Sequence, residues 1–262
     1  MPSYFTQAIL TIWQREIIRY VREKPRIIST LVQPLMFLVI FGAGLQRTLA
    51  AGNFGIDYVK FMYPGIIAMS VMGVAFFSTV STVWDREFGF LKEILVAPVS
   101  RTAIALGKAL GATSIASTQA LILLVLAPLI GVPIHVVAII QLFGLMLLLA
   151  FSIAGMGLLI ASLMQTTESF GLVMQLLFFP MFFLSGAFFP LTAVPKWMVG
   201  LSSVNPLTYG VDVFRQVLLG SEMPASVATM IVLHAKSNDV LFMVGFAVVM
   251  IGASVAAFNR RQ

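Results

Sequence analysis

Few residues in this sequence have side chains that could do chemistry. The chain has two histidines, His135 and His234, and no cysteine. A histidine binds a metal or moves a proton when carboxylates lie beside it, and neither histidine has a cluster of acidic neighbours in the sequence. The G-x-x-x-x-G-K-[ST] pattern of a phosphate-binding loop does not occur either. The sequence therefore predicts no catalytic residue, no metal ligand and no bound cofactor, and we do not expect this chain to be an enzyme by itself.

Two other ionisable residues, Lys108 and Glu168, stand next to long apolar stretches. Ion-coupled carriers hold such groups near the middle of a membrane, where they bind and release the coupling ion. Both residues are predicted at the margins of apolar stretches, where a loop position or a side chain that reaches to the surface explains them. An ion-coupled carrier or a channel therefore remains only as a less favoured alternative.

The composition excludes a soluble enzyme. Hydrophobic residues make up 60% of the 262 positions and charged residues 10%, whereas a soluble domain has about 25% charged residues. The net charge of +6 could indicate a nucleic-acid partner. In a membrane protein, however, basic residues collect on the cytoplasmic side, so we expect no nucleic acid. The elements that position any functional site must be helices in lipid.

The gaps between charged residues predict where those helices run, because a bilayer core takes about 20 apolar residues of helix and tolerates few charges. We predict an all-α polytopic membrane protein with six spans at 27–45, 61–83, 105–130, 137–163, 170–190 and 240–258. Most of the 16 Lys and Arg residues then fall on one side. That side should be the cytoplasm, with both termini there.

The first domain is predicted to be an amphipathic helix over 1–26, ahead of a transmembrane domain over 27–262. Its apolar residues recur at spacings of three and four: Phe5, Ile9, Ile12, Trp13, Ile17 and Tyr20. This spacing is typical of a helix that lies on the membrane surface and contacts lipid. The alternative is a short cytoplasmic helix packed on protein.

The segment between the second and third predicted spans also has an amphipathic pattern. Its apolar stripe comprises Trp84, Phe88, Leu91 and Leu95, and its charged residues, predicted to face the cytosol, are Asp85, Arg86, Glu87, Lys92 and Glu93. A short helix of this kind can insert into a groove of a partner and transmit the partner's movement. A solvated turn explains the spacing equally well.

Two runs resemble the permease subunits of the ABC-2 type transporter family. In 85–101, DREFGFLKEILVAPVSR, the resemblance rests on the acidic-basic-acidic start, the glycine and the Pro-x-Ser-Arg ending. The second match comprises FLSGAFFP at 183–190, VPKW at 194–197 and NPLTYGVDVFR at 205–215, and it looks like the family's C-terminal signature. One departure is Phe88, since many relatives have a small or polar residue beside the glycine; the contact surface should be more apolar here.

The resemblance implies the permease of an ATP-driven exporter in a bacterial inner membrane. A separate ATPase subunit would bind ATP and Mg and dock on a coupling helix, and two permease copies would pair as a homodimer surrounded by lipid. The coupling-helix residues would be Asp85, Arg86, Glu87, Phe88, Leu91, Lys92 and Leu95. The first, second and fifth spans would face the dimer interface and the substrate route, and broken helices before the last span would cap the exit.

The fifth predicted span has a flexible and aromatic set of residues that could line a route: Met174, Gln175, Phe178, Phe179 and Phe182. This surface has almost no hydrogen-bonding capacity, so it favours an amphipathic or hydrophobic small molecule, drug-like or lipid-like. Export of a lipid-linked polysaccharide or lipooligosaccharide is the alternative. Simple packing against neighbouring helices or lipid also explains these residues. Pro34 and Pro180 should kink their helices and are hinge candidates.

Three smaller patterns complete the predictions. Gly107-x-x-x-Gly111 permits close contact between helices. Asp212 and Arg215, three positions apart, are predicted to form a structural ion pair on a helix. The two histidines are predicted to be side chains at the membrane interface.

Overall fold

Long apolar stretches with few charges fold into helices, because a helix satisfies its backbone hydrogen bonds internally. The structure, a computed structural model, describes residues 2–50, 57–89, 99–132, 134–220, 228 and 231–260. Its helices are α1 (Pro2–Arg22), α2 (Lys24–Ala50), α3 (Tyr58–Ser78), α4 (Val80–Glu87), α5 (Arg101–Val125), α6 (Val136–Leu163), α7 (Thr167–Phe183), α8 (Lys196–Ser202), α9 (Pro206–Leu219) and α10 (Lys236–Arg260). Short 3-10 turns occupy Ala127–Ile130 and Leu191–Ala193. The described part of the chain contains no strand.

Five helical segments of the described chain are long and apolar enough to cross a membrane. They are Lys24–Gly42, Tyr58–Glu87, Arg101–Val125, Val136–Leu163 and Lys236–Asn259. Each overlaps one predicted span, so five of the six predicted spans have a matching helix. The remaining one, 170–190, corresponds to α7, which is apolar but has only 17 residues. It is shorter than predicted because the chain leaves the helix at Leu184 and turns.

Polar side chains set where several helices begin. The Asp57 carboxylate accepts a hydrogen bond from the backbone amide of Val59, at the start of α3. Ser100 caps α5 in the same way, and Thr166 caps α7. Asn205 caps α9 directly before Pro206, whose missing amide is harmless in a first turn. These caps fix the helix starts on both sides of the bundle.

The centre of the bundle is α3, which packs against α2, α5, α6 and α9. The most apolar window of α3 and α4 is 89% buried within the chain, whereas the corresponding windows of α2 and α10 are each 17% buried. The helices α2 and α10 therefore lie at the periphery, where lipid or another chain can contact them.

The bundle has two ends, which we call the α1 end and the α9 end. At the α1 end, the Arg101 side chain at the start of α5 donates to the carbonyl oxygen of Asn259, near the end of α10, at 3.0 Å. At the α9 end, the hydroxyl of Tyr58 donates to the carbonyl oxygen of Phe188 at 3.0 Å. Long helices that follow one another in the chain thus run in alternating directions between the two ends.

The segment after α7 folds back on α7 before the chain reaches α10. Ser202, at the end of α8, donates to the carbonyl oxygen of Leu184 at 2.6 Å. The side-chain amide of Asn205 donates to the carbonyl oxygen of Met181 at 2.6 Å. Two short helices, α8 and α9, therefore occupy the region where broken helices were predicted.

Candidate functional site

Helix α1 packs into a groove on α5 that two glycines create. A Cβ atom on Gly107 would lie 2.8 Å from the Cβ of Ile12, and one on Gly111 would lie 2.8 Å from the Cβ of Glu16. Any larger residue at these positions would push α1 away. The Gly107-x-x-x-Gly111 pattern thus serves the contact with α1.

The predicted apolar face of α1 turns towards this groove. Ile12 is buried, and the indole Nε1 of Trp13 donates to the hydroxyl of Ser114 on α5 at 3.0 Å. The structure therefore supports the alternative that α1 packs on protein through this face. That α1 lies on the membrane surface stays a prediction, since Phe5 on the same face is 40% exposed. Other apolar residues of α1, including Tyr4, Leu10 and Val21, are exposed.

A buried cluster of four charges joins α1, α4 and α5. The ammonium of Lys108 lies 2.7 Å from Asp85 Oδ2 and 3.3 Å from Glu16 Oε1, and it donates to the hydroxyl of Ser81 at 3.1 Å. The guanidinium of Arg15 binds the other oxygen of Asp85. Two carboxylates and two cations balance, so the cluster carries no formal net charge. We call these five residues the Lys108 cluster.

The Lys108 cluster corrects two predictions. Asp85 is 3% exposed and does not face the cytosol, because α4 continues the direction of α3 and carries Asp85 into the bundle. The side chain of Lys108 is 1% exposed, so it neither lies in a loop nor reaches to the surface. Glu168, the other ionisable residue predicted at the margin of an apolar stretch, is exposed as predicted.

Arg86 and Glu87 bind the turn between α6 and α7. Nη1 of Arg86 donates to the carbonyl oxygens of Ser162 at 3.1 Å and Ala161 at 3.4 Å, at the end of α6. The Glu87 carboxylate accepts from the backbone amide of Thr167 at 2.9 Å, in the first turn of α7. A cation at a helix C-terminus and a carboxylate at a helix N-terminus both suit the helix dipole. Consecutive residues of α4 therefore hold two different helices.

The exposed end of α4 borders a groove against α1. Phe88 is 78% exposed, and Gly89 ends the helix with a φ of 78°, a conformation that other residues adopt only with strain. The guanidinium of Arg19 lies over the ring of Trp84 at 4.4 Å. The groove measures about 830 Å³ and is lined by Thr11, Gln14, Arg15, Ile18, Arg19, Arg22, Glu23, Trp84, Asp85 and Phe88. The remaining predicted coupling residues, Leu91, Lys92 and Leu95, lie outside the described residues.

A polar contact also connects α1 to α2 at the same end. The phenol of Tyr20 donates to the side-chain carbonyl of Gln119 on α5, and the amide of Gln119 donates to the hydroxyl of Thr30 on α2. Burial raises the pKa of the Tyr20 phenol, which keeps it a hydrogen-bond donor. Gln119 therefore links α1 to α2 through hydrogen bonds.

An apolar cleft of about 550 Å³ opens between α2, α3 and α7. Its lining comprises Thr30, Gln33, Pro34, Met69, Ser70, Gly73, Val74, Phe77, Glu168, Gly171, Leu172, Gln175, Phe178 and Phe179. These helices are the first, second and fifth predicted spans. The structure thus brings together the three elements expected to border the substrate route.

The predicted route residues divide into two groups. Gln175, Phe178 and Phe179 line the cleft. Met174 and Phe182 are fully buried, and the Phe182 ring packs 4.8 Å from that of Phe188 in the core, so these two residues do not line it.

The two hinge candidates differ in place. Pro34 lines the cleft inside α2, whereas Pro180 lies near the end of α7, where its carbonyl oxygen accepts from the amide of Leu184 at 2.9 Å. The structure therefore puts Pro34, and not Pro180, at the cleft wall. Their hinge role stays a prediction.

Asp212 and Arg215 were predicted to pair with each other, and in the structure each of them also contacts other groups. Asp212 accepts from the backbone amides of Leu233 and His234, at 3.0 and 2.9 Å. Arg215 donates to the carbonyl oxygen of Gly186 at 2.8 Å and lies over the ring of Phe61 at 4.1 Å. Burial lowers the pKa of Arg215 to about 10 and raises that of Asp212. Both residues hold the α9 end together, but through separate contacts.

His234 has acidic neighbours that the sequence analysis missed. Its Nδ1 lies 3.4 Å from Asp239 Oδ1 and 3.8 Å from Asp212 Oδ2. Asp212 and His234 are 22 residues apart, so only the fold brings them together. In the sequence, only the short spacing from His234 to Asp239, at the start of a span, indicated that a carboxylate lies near this histidine.

A comparison with models of protein families identifies the family of this chain. The model of the ABC-2 type transporter family matches residues 7–219, which include the Lys108 cluster, the cleft and α9. The chain belongs to the ABC-2 type transporter family. It is therefore a membrane permease of an ABC transporter, and the family implies an ATPase as its partner.

Relatives of this ABC-2 permease occur in Cyanophora paradoxa and in Escherichia coli. A protein of Cyanophora paradoxa named as a transport permease, ycf38, is 31% identical over 215 residues, 81% of this chain and 74% of the relative. The inner membrane transport permease YadH of Escherichia coli K12 is 30% identical over 227 residues, 84% of this chain and 86% of the relative. The E. coli "Probable multidrug ABC transporter permease YbhR" is 32% identical over 174 residues, 64% of this chain and 46% of the relative.

Proposed function

We propose that this permease exports an amphipathic or hydrophobic small molecule across a bacterial inner membrane, driven by a separate ATPase that binds ATP and Mg. The cleft between α2, α3 and α7 carries the proposal. Its walls are mostly apolar, with a few polar groups such as Gln175 and Ser70. Sites for small amphiphiles have this composition, apolar with few polar groups that fix orientation.

A second copy of the chain would complete the cleft. Gln33 lines both the cleft and a groove on α2, where Val32, Met36 and Ile40 are exposed at helical spacing. In lipid, helices pair by close packing of such faces. We therefore infer a homodimer in which α2 and α7 of both copies surround a common route, with the turn after α7 completing a sixth crossing of the membrane.

The α1 end would face the cytoplasm and the ATPase. The groove between α1 and α4 offers basic residues, Arg19 and Arg22, beside the exposed ring of Phe88. A partner helix end with apolar and acidic residues would fit this surface. Both chain termini would then be cytoplasmic.

The contacts of α4 suggest how docking would move the bundle. In this proposal, Asp85, Arg86 and Glu87 do not contact the ATPase themselves. Asp85 would pass displacement to α1 and α5 through Lys108, while Arg86 and Glu87 would pass it to α6 and α7. Because α7 forms a wall of the cleft, movement of α4 would change the width of the cleft.

The test compares two phenylalanines of α7. Phe179 and Phe183 are 43% and 42% exposed, but only Phe179 lines the cleft. The permease is expressed with its ATPase, and ATP-dependent uptake of hydrophobic fluorescent dyes is measured in inverted membrane vesicles. We expect Phe179→Ala to raise the apparent KM for dyes by about tenfold, which is equivalent to a loss of about 1.4 kcal/mol of binding. Phe183→Ala should leave the KM within about twofold.

Three outcomes would contradict the proposal. Dye transport that persists when the ATPase is disabled would indicate an ion-coupled carrier or a channel. Equal effects of the two substitutions would mean that the cleft is not the route. Absence of dye transport, together with ATPase stimulation by a lipid-linked oligosaccharide, would favour the polysaccharide alternative.

A further inference from the structure

The α9 end contains a group of three potential metal ligands. Nδ1 of His234, one carboxylate oxygen of Asp212 and one of Asp239 all lie within 4.8 Å of one another. Asp212 comes from α9, Asp239 from the first turn of α10, and His234 from the turn between them. In a tetrahedral zinc site with bonds of about 2.0 Å, ligand atoms are about 3.3 Å apart. The separations of 3.4 and 3.8 Å from His234 Nδ1 to the two carboxylates come close to that geometry.

Two of these ligand atoms have no hydrogen-bond partner. Asp239 is 0% exposed, and its Oδ1 is among the buried atoms without a partner, as is Nδ1 of His234. These two atoms lie 3.4 Å from each other, and a buried polar atom without a hydrogen bond is costly to leave unsatisfied. A cation between these atoms would satisfy both of them at once.

The surrounding residues hold the three ligands in place. Gln216 donates to the other carboxylate oxygen of Asp239 at 3.2 Å and to the carbonyl oxygen of His234 at 3.0 Å. Tyr209 stacks on the His234 ring, with ring centroids 5.0 Å apart. Metal sites depend on such supporting contacts, which fix the orientation of the ligands.

The nearby cation Arg215 attracts Asp212 electrostatically but does not hydrogen-bond to it. Its two terminal nitrogens donate to the carbonyl oxygens of Gly186 and Ile231, and among the described residues it makes no hydrogen bond to either carboxylate. Two carboxylates, Asp212 and Asp239, against one guanidinium leave one formal negative charge, which a divalent ion can offset.

We infer that Asp212, His234 and Asp239 form a binding site for a divalent transition-metal ion of the Zn²⁺ class, which joins α9 to α10. One imidazole nitrogen and two carboxylate oxygens suit Zn²⁺ better than Mg²⁺ or Ca²⁺, which prefer oxygen ligands alone. The ion would tie the loop before α10 to the short helix α9, which packs on α3 and α6. The site is thus structural, and it stiffens the α9 end.

The experiment measures Zn²⁺ binding to the purified full-length permease in lipid nanodiscs. The protein is treated with a chelator, and Zn²⁺ is titrated in competition with a chromophoric chelator. The wild type should bind one Zn²⁺ per chain. His234→Gln and Asp239→Asn should each weaken binding by at least about 100-fold, since loss of supporting residues alone weakens metal sites by 10–100-fold.

The other histidine is the matched control. His135 precedes α6 and is not part of the group, so His135→Gln should leave Zn²⁺ affinity unchanged. Gel filtration and the unfolding temperature in excess chelator establish that each variant is folded. Wild-type protein that binds no more Zn²⁺ than folded His234→Gln would overturn the inference.

A measurement on the wild type alone remains decisive if the variants do not fold. X-ray absorption at the zinc edge should show nitrogen and oxygen ligands at about 2.0–2.2 Å, with the scattering pattern of one imidazole. A bound zinc without imidazole would also overturn the inference.

Discussion

Replacing Lys108 with methionine should strongly destabilise the α1 end of the bundle. The side chain of Lys108 is 1% exposed, and its ammonium is paired with Glu16 and Asp85. Methionine has a similar length but no charge, so Glu16 would stay buried without a counter-ion, while Asp85 keeps Arg15. Removing one partner of a buried ion pair costs about 3–5 kcal/mol. We expect the lower end, about 3 kcal/mol, because one of the two carboxylates retains a cation.

The assay is thermal unfolding of the purified protein, followed by tryptophan fluorescence. In a chain of this size, 1 kcal/mol changes the unfolding temperature by about 2–4 °C, so Lys108→Met should lower it by about 6–12 °C. A triple variant that adds Glu16→Gln and Asp85→Asn removes three of the four charges and leaves Arg15, whose side chain is 33% exposed. It should recover more than half of the loss. Lys24→Met, at an exposed lysine of α2, is the control and should change stability by less than about 0.5 kcal/mol.

Two results would refute this reasoning. A loss for Lys108→Met no larger than that for Lys24→Met would show that the lysine is not buried among carboxylates. A triple variant as unstable as Lys108→Met would show that lost packing, and not unpaired charge, causes the effect.

Three further substitutions test other contacts. Gly107→Val should displace α1 from Ile12 and cost about 1–3 kcal/mol, measured as faster proteolysis of α1; Gly144→Val, at a glycine with open space around it, should not. Arg86→Met removes the hydrogen bonds to the end of α6. It should leave ATPase docking intact and lower the amount transported per ATP hydrolysed. Equal loss of docking and transport would contradict the proposal that Arg86 passes the displacement of α4 to α6. Gly89→Ala should strain the end of α4 by about 1–2 kcal/mol, detectable as weaker ATPase co-purification.

The long helices could be predicted from the sequence because charge is costly in lipid. The fourth predicted span, 137–163, differs from α6, Val136–Leu163, by one residue at its start. The second predicted span, 61–83, ends before the matching helical segment, Tyr58–Glu87, because the sequence pattern places Trp84 and Asp85 in a cytosolic helix. In the structure α4 continues the direction of α3 to Glu87, so the charged residues belong to the end of the span. A charge is tolerated there because Lys108 and Arg15 pair with it.

The contacts between distant residues could not be predicted. Glu16 and Lys108 are separated by 92 positions, and nothing local in the sequence indicates that they meet. The position of Lys108 between Gly107 and Gly111 could have indicated that something packs closely beside a buried cation. Similarly, the burial of Met174 and Phe182 depends on how α7 is rotated in the bundle, and the weak polar pattern of that helix does not determine its rotation.

Chain order gives the Lys108 cluster a consequence for biogenesis. Its partners Glu16, Ser81 and Asp85 all precede Lys108, so the ribosome has delivered every one of them before α5 emerges. A lysine costs about 2.5–3.5 kcal/mol at the centre of an inserting helix, and counter-ions already in place lower that cost as α5 enters the membrane. The opposite holds for Asp212, whose partners Leu233 and His234 follow it. The Asp212 carboxylate must therefore wait for the turn before α10, and a ribosome stalled before Leu233 would leave the α9 end unfinished.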